Sequence, residues 1–169
     1  THAVYARKLP ESLFHSAQGW FTDEPTGNFN CGKNVLPWTG SLPGAFRQRF
    51  GDDLLPWLPA LFLGGDRAAR VRNAYFEVCA DLYSQAFYGT IRDHVKKYGH
   101  KFIGHMNVEG ELHWGVRQQF DYFRNARLMD WGGVDSLFRM TWKREGFFTD
   151  NATGAKLAAP QARSPLSPV

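Results

Sequence analysis

Cysteine is scarce in this chain: Cys31 and Cys79 are the only two, far apart, with neither a Cys-x-x-Cys pair nor a Cys/His ligand spacing. That leaves no pattern for a zinc module, and the thiols read as buried ones. No apolar run approaches the roughly 20 residues that a transmembrane helix needs, so membrane insertion is not expected. There is no Gly-rich phosphate loop and no serine nucleophile elbow, and "GGDRAARVR" at residues 64–72 has neither P-loop nor dinucleotide-fingerprint spacing. A basic stripe with interleaved aromatics is missing as well. The formal net charge is +4, but from Arg139 onward there are five Lys/Arg against two Asp/Glu, which leaves residues 1–138 nearly neutral. Nucleic acid is therefore not an expected partner. A charged segment leading into an apolar signal core is lacking too, since "THAVYARKLPESLF" reads as amphipathic helix. The chain is expected to begin inside a longer polypeptide.

What is present suits one globular α/β domain: 169 residues, 43% hydrophobic and 21% charged. Val4, Leu9, Leu13 and Phe14 have rough helical spacing, weakened or split at Pro10. "QGWFT" follows as a buried strand, and residues 25–40, rich in Gly, Asn, Pro and Thr, read as a long loop. Phe46, Phe50, Leu54 and Leu55 share a face that Pro56 and Pro59 break into short helical pieces. Val71, Tyr75, Val78, Leu82, Phe87, Ile91, Val95 and Tyr98 then recur every three to five residues, predicting a long amphipathic helix that ends at Gly99. "HKFIGHMNVEG" reads as a second strand, "WGVRQQFDYFRNAR" as a shorter helix, and "LMDWGGVDSLF" as a short strand with a Gly-rich exit. Strand and helix alternating in this way predicts right-handed βαβ units with parallel strands. Three strands do not close a sheet, and a (β/α)8 barrel needs about 250 residues, so the fold expected for residues 1–142 is a partial TIM barrel. Residues 143–169 change composition, with Pro160, Pro165 and Pro168 in the last ten, and are expected to form an irregular tail.

In parallel α/β folds the carboxyl ends of the strands share the face where ligands bind. The first exit, "GWFTDEP", brings Asp23 and Glu24 to a rim and turns the chain outward at Pro25. The second, "GHMNVEGE", supplies His105, Asn107 and Glu109, which period-two alternation puts on one side if the strand persists. The third, "MDWGGVDSL", supplies Asp130, Trp131 and Asp135. Carboxyls converging on one cleft suit glycoside hydrolysis, in which one protonates the leaving oxygen and the other supports the oxocarbenium-like transition state or activates water. Trp20, Trp38 and Trp131 offer flat faces for sugar rings. Each of these acids also suits a helix cap or turn, and His105 a structural role. Trp38 and Trp57, beside prolines, also read as packing residues, and Tyr75, Tyr83 and Phe87 as core stripe. Glu111 and Asp121 read as ordinary solvated positions.

The succession "GWFTDEP", "LPWTGSLPGAFRQRFGDDLLPWLPALF", "RVRNAYFEVCADLYSQAFYGTIRDHVKKYGHKFIGHMNVEG" and "RLMDWGGVDSL" resembles the central barrel segment of the large α-L-rhamnosidase glycoside hydrolases, over about residues 1–142. The resemblance implies a catalytic (β/α)8 domain in a larger, often secreted or periplasmic enzyme that releases terminal L-rhamnose from rhamnose-containing glycans by an inverting route. It implies Glu24 as the general acid, in a partly desolvated setting. His105 and Glu109 are implied active-site residues, with Glu109 in contact with substrate, metal or water. Asp23, Asn107, Trp131 and Asp135 are the remaining substrate-contact candidates, and calcium is implied by some relatives although the chain has no calcium loop. Where that family reads Pro-Gly-Ile-Asp this chain reads "WGGVD" at residues 131–135, which retains Asp135. Where the family continues to a further glutamate, its general base, this chain reads "APQARSPLSPV", so the isolated chain is expected to be nearly inactive. Two alternatives stay open: a carbohydrate-binding or interaction module that kept the cleft without the reaction, and a related barrel glycosidase for a galactose- or mannose-type sugar.

Overall fold

Pro10 removes a backbone donor and its ring bars a helix from running through it. Helix α1 (His2–Lys8) therefore stops before it and α2 (Glu11–Ser16) starts after it. The computed structural model describes residues 2–27, 35–107 and 112–133. Strand β1 is Gly19–Asp23 and α3 is Leu42–Phe50, the latter ended by Gly51 in the left-handed region at φ +72°. A 3₁₀ turn (Leu55–Trp57) and α4 (Leu58–Leu63) carry Pro56 and Pro59 in their opening positions, where a missing N–H costs nothing.

The long helical run starts as α5 (Ala68–Tyr83), passes through a π turn (Ser84–Gly89) and finishes as α6 (Thr90–Lys96). The expected amphipathic helix is there, but it is not uniform. The five-residue step from Leu82 to Phe87 is the sequence trace of the wider turn, which resets the apolar stripe and buries both Ser84 and Tyr88 completely. Strand β2 (Lys101–His105) follows the turn closed by Gly99. Then come α7 (Leu112–Gln119), α8 (Tyr122–Ala126) and β3 (Trp131–Gly132). The single helix expected over "WGVRQQFDYFRNAR" is two: Phe120 takes a left-handed φ of +61°, and Asp121 then caps α8 by accepting the backbone N–H of Arg124 at 3.0 Å. Asp121 is thus a structural cap and not an ordinary solvated position.

All strand pairings are parallel, in the order β1-β2-β3. The class is α/β. Register sets Trp20 beside Phe102, and Thr22 beside Gly104 and Gly132, on one face; it sets Phe21, Ile103 and Trp131 in a row, and Asp23 beside His105, on the other. Phe102 is 1% exposed and packs with Tyr88, Val95, Met106, Ala126 and Met129, so residues from both crossovers lie against the first face. On the second face Phe21 is 60% and Trp131 51% exposed, with Ile103 between them half-buried. The expectation that the "QGWFT" strand is buried is corrected at Phe21, because no helix covers that side of β1 among the described residues. A second core, around Leu42, Phe46, Leu54, Leu61, Val71, Tyr75 and Val78, joins α3, α4 and α5. At its surface Arg49 pairs with Glu77 and Asp81, and Arg124 with Asp81, tying α3 and α8 to α5.

Asp130 is also placed differently from the expectation of a strand-exit acid. Its carboxylate accepts the Phe102 N–H at 2.8 Å and its own N–H donates to the Phe102 carbonyl at 2.8 Å, so it fastens β3 to β2 from the amino side. Trp131 opens β3 opposite Ile103, one step before the exit.

Gly104 is the tightest point of the sheet. A Cβ there would stand 2.3 Å from the Thr22 carbonyl oxygen, in a backbone already at φ +155°. We expect Gly104→Ala to cost about 2–4 kcal/mol of stability in urea unfolding, because the obstruction is backbone and cannot rotate away. Gly99→Ala, at φ +73° but with nothing within 4 Å, is expected to cost about 1–2 kcal/mol. The reverse order would contradict the register of β1 on β2.

Candidate functional site

Parallel register brings two predicted residues together at adjacent strand exits. His105 Nε2 lies 3.0 Å from Asp23 Oδ1, with the His105 side chain 12% and the Asp23 side chain 77% exposed. Phe21 covers the imidazole from the same face, with ring centroids 5.5 Å apart. A histidine screened by an aromatic ring and bonded to a carboxylate is oriented, whichever protonation state it holds. The carboxylate keeps its outer oxygen toward solvent and is available to a hydroxyl-bearing ligand.

Glu24 follows directly, and its backbone is unusual. Among the described residues, Glu24 (φ +43°) and Phe120 (φ +61°) are the non-glycine residues with positive φ. A side chain in that region is strained and persists only where its surroundings hold it. The two lie on either side of one hydrogen bond: Gln119 Nε2 donates to the Pro25 carbonyl at 2.6 Å. Gln119 is fully buried, its Oε1 accepts from the Tyr88 hydroxyl at 3.4 Å, and its backbone carbonyl accepts from Asn125 Nδ2 at 2.9 Å. Ser84 in turn donates to Asn125 Oδ1. The π turn thus delivers Ser84 and Tyr88 into a buried polar network that ends one residue past Glu24.

Thr26 and Gly27 are held by the neighbouring glutamine. Gly27 N–H donates to the Gln118 carbonyl at 2.9 Å, with Thr26 Oγ1 3.4 Å from the same oxygen. Gly27 has no room for a side chain, since a Cβ would stand 2.4 Å from Phe120 and 3.0 Å from Tyr83. Burial pushes the Tyr83 phenol up to about 12, so it stays neutral at working pH.

Asn107 departs from its expected place. β2 ends at His105, so the alternation that would align His105, Asn107 and Glu109 does not continue; Asn107 sits in a turn and donates to Gln118 Oε1 at 2.8 Å. Glu109 and Asp135 lie outside the described residues. Glu24 is exposed, so the partly desolvated setting expected for it is not built by the described residues.

Trp131 stands bare beside the exits, but Trp20 is excluded as a sugar platform. It faces the helix-covered side, donates its indole N–H to His100 Nδ1 at 2.7 Å, and packs against His2, Tyr5 and Phe14. Trp38 is exposed on the segment before α3, and Trp57 packs partly buried against the α3–α5 core, as its packing reading expects. Cys79 is buried, and that burial pushes its thiol up to about 11, an inert state; Cys31 lies outside the described residues.

Among the described residues no three His, Cys, Asp or Glu side chains stand together in a way that could hold a metal ion. No helix among these residues is long and apolar enough to cross a membrane. In comparisons with known proteins, no family model, no curated protein and no solved structure matches the chain.

The polar network makes a direct prediction. Gln119→Leu removes the donor to the Pro25 carbonyl, so hydrogen exchange at the Gly27 amide should accelerate about tenfold or more relative to the Phe102 amide in β2. Equal acceleration at both amides would show general loosening, and no change at Gly27 would show that Gln119 does not hold the loop.

Proposed function

We propose that this chain is (β/α)8-type barrel material from a carbohydrate-acting enzyme of the α-L-rhamnosidase kind, and that the carboxyl edge of its sheet is a sugar subsite. The carrying observation is the Asp23–His105 pair at two adjacent parallel exits, followed at once by Glu24 in a strained, network-held backbone. Strain that buried hydrogen bonds maintain is a feature that clusters at ligand-binding and catalytic positions.

The winding supports the barrel part of this reading. Sequential strand order with both crossovers against one face is how a barrel winds; a doubly wound sheet reverses its order and carries helices on both sides. Parallel sheets are covered on both faces. The Phe21–Ile103–Trp131 row is then the side that further strands of a longer polypeptide cover in the closed barrel.

In this account Asp23 accepts a sugar hydroxyl, His105 holds Asp23 in place, and the indole of Trp131 lies along the C–H face of the ring. Glu24 is the proton donor to the glycosidic oxygen. A bound sugar that covers it supplies the desolvation that favours the protonated carboxyl. Glu109 remains the candidate for the second carboxylate, and Asp135 for a substrate contact.

A second reading, binding without hydrolysis, draws on the same edge. Asp23, committed to His105, and exposed Glu24 are the carboxylates that the described strand exits supply. One test separates the two. By calorimetry, the chain should bind methyl α-L-rhamnoside with a millimolar-range Kd, and Trp131→Ala should weaken binding about five- to tenfold. Glu24→Gln should leave binding within about twofold, since a proton donor acts mainly in the transition state. Because the isolated chain is expected to be nearly inactive, turnover is sought in the longer polypeptide that this reading supposes: nitrophenyl rhamnoside hydrolysis there, lost in Glu24→Gln, supports the enzyme reading, and binding without turnover there favours the module. Tighter binding of a galactoside or mannoside would move the specificity, and no sugar binding at all would end the proposal.

A further inference from the structure

Away from the strand exits, α3, the 3₁₀ turn and the start of α5 enclose a cavity of about 360 Å³. That volume is in the range of small-molecule sites. Its walls are of two kinds. Phe46, Phe50 and Trp57 give flat apolar surface, with the Phe46 and Phe50 rings 5.1 Å apart between centroids. Arg67, Arg70 and Asp52 give charge.

The charges are not equivalent. Asp52 is engaged from both oxygens, Oδ2 accepting the Trp57 indole N–H at 3.1 Å and Oδ1 the Asp53 N–H at 2.8 Å. The Arg67 guanidinium lies over the Trp57 ring, 5.5 Å from its centroid. Among the described residues neither Arg67 nor Arg70 belongs to an ion pair, whereas Arg47 and Arg49, nearby on α3, are both paired with carboxylates. Two guanidiniums against one carboxylate leave the cavity with one net positive charge, beside a ring-shaped apolar wall.

We propose that this cavity binds a small ring-bearing carboxylate: a flat apolar body against Phe46, Phe50 and Trp57, with its single negative charge on Arg67 and Arg70. A carboxylate matches the one net charge, and the guanidinium fork binds it through paired N–H donors. A phosphate dianion would carry a charge in excess and face Asp52 as well. This site shares no residue with the sheet edge and stands whether or not that edge binds sugar.

The test is a titration of the full chain with 2-naphthoate, followed by the Trp57 indole N–H in ¹H–¹⁵N spectra, with neutral 2-naphthol and inorganic phosphate as comparisons. The Trp57 signal should shift saturably with 2-naphthoate and bind naphthol about tenfold more weakly or worse, with inorganic phosphate weaker still. Arg67→Ala/Arg70→Ala should weaken naphthoate about tenfold or more, and Arg67→Lys/Arg70→Lys should recover part of the loss. Should the double alanine variant fail to fold, Arg70→Gln alone is expected to weaken binding and carries the same test. An unmoved Trp57 signal, equal affinity for naphthol, tighter inorganic phosphate, or arginine variants that bind like the parent would each overturn the proposal.

Discussion

Gln119 is an amide taken wholly out of water, and a buried amide is tolerable only when its donor and acceptor ends are both bonded. That constraint fixes more of this molecule than any other single group. Its donor end fixes the Pro25 carbonyl, and through it the strained turn at Glu24; its acceptor end draws on Tyr88, which reaches it because the long helix widens into a π turn. Its own backbone carbonyl is claimed by Asn125, which sets where α8 lies. Strand exit, helix irregularity and interhelical junction thus meet at one residue. The left-handed residues at Glu24 and Phe120 are the local cost of bringing Pro25 and Gln119 within hydrogen-bonding distance.

The sheet contributes the other half of the account. Trp20 and Phe102 anchor one face under helices from both crossovers, while Phe21 and Trp131, on either side of the half-buried Ile103, are left to solvent. An aromatic row on a parallel sheet is an unfinished surface in energetic terms, since exposed rings forgo the burial that stabilises such sheets. The carboxyl edge of that same face carries the Asp23–His105 pair.

Much of the architecture was legible in periodicity. Pro10 as a helix break, the strands read at "QGWFT" and "HKFIGHMNVEG", and the stripe from Val71 onward follow from local rules, and the structure contains each, with the strands at Gly19–Asp23 and Lys101–His105. Even the π turn left its mark in the step from Leu82 to Phe87. What escaped depends on partners distant in sequence. The split at Phe120 needs the Gln119–Asn125 bond, and a left-handed phenylalanine has no local signature. Asp130 looked like an exit acid because the residues around it do not reveal that Phe102 bonds it from both sides. Gln119 drew no notice, as a glutamine in an ordinary helical pattern; only the proximity of Pro25, 94 residues away, gives it a role. At the site, Asp23 and His105 were readable from strand ends, while the alignment of Asn107 with them was lost once β2 stopped at His105.

The central claim is that, among the described residues, the covering helices lie on one side of a parallel sheet while Phe21 and Trp131 stand exposed on the other. Hydroxyl-radical footprinting with mass-spectrometric readout tests it most directly, because ring oxidation follows solvent access. The account predicts that Phe21 and Trp131 oxidise rapidly while Phe102, Tyr88 and Trp20 are protected, in one and the same folded sample. Protection of Phe21 and Trp131 equal to that of Phe102 would contradict it.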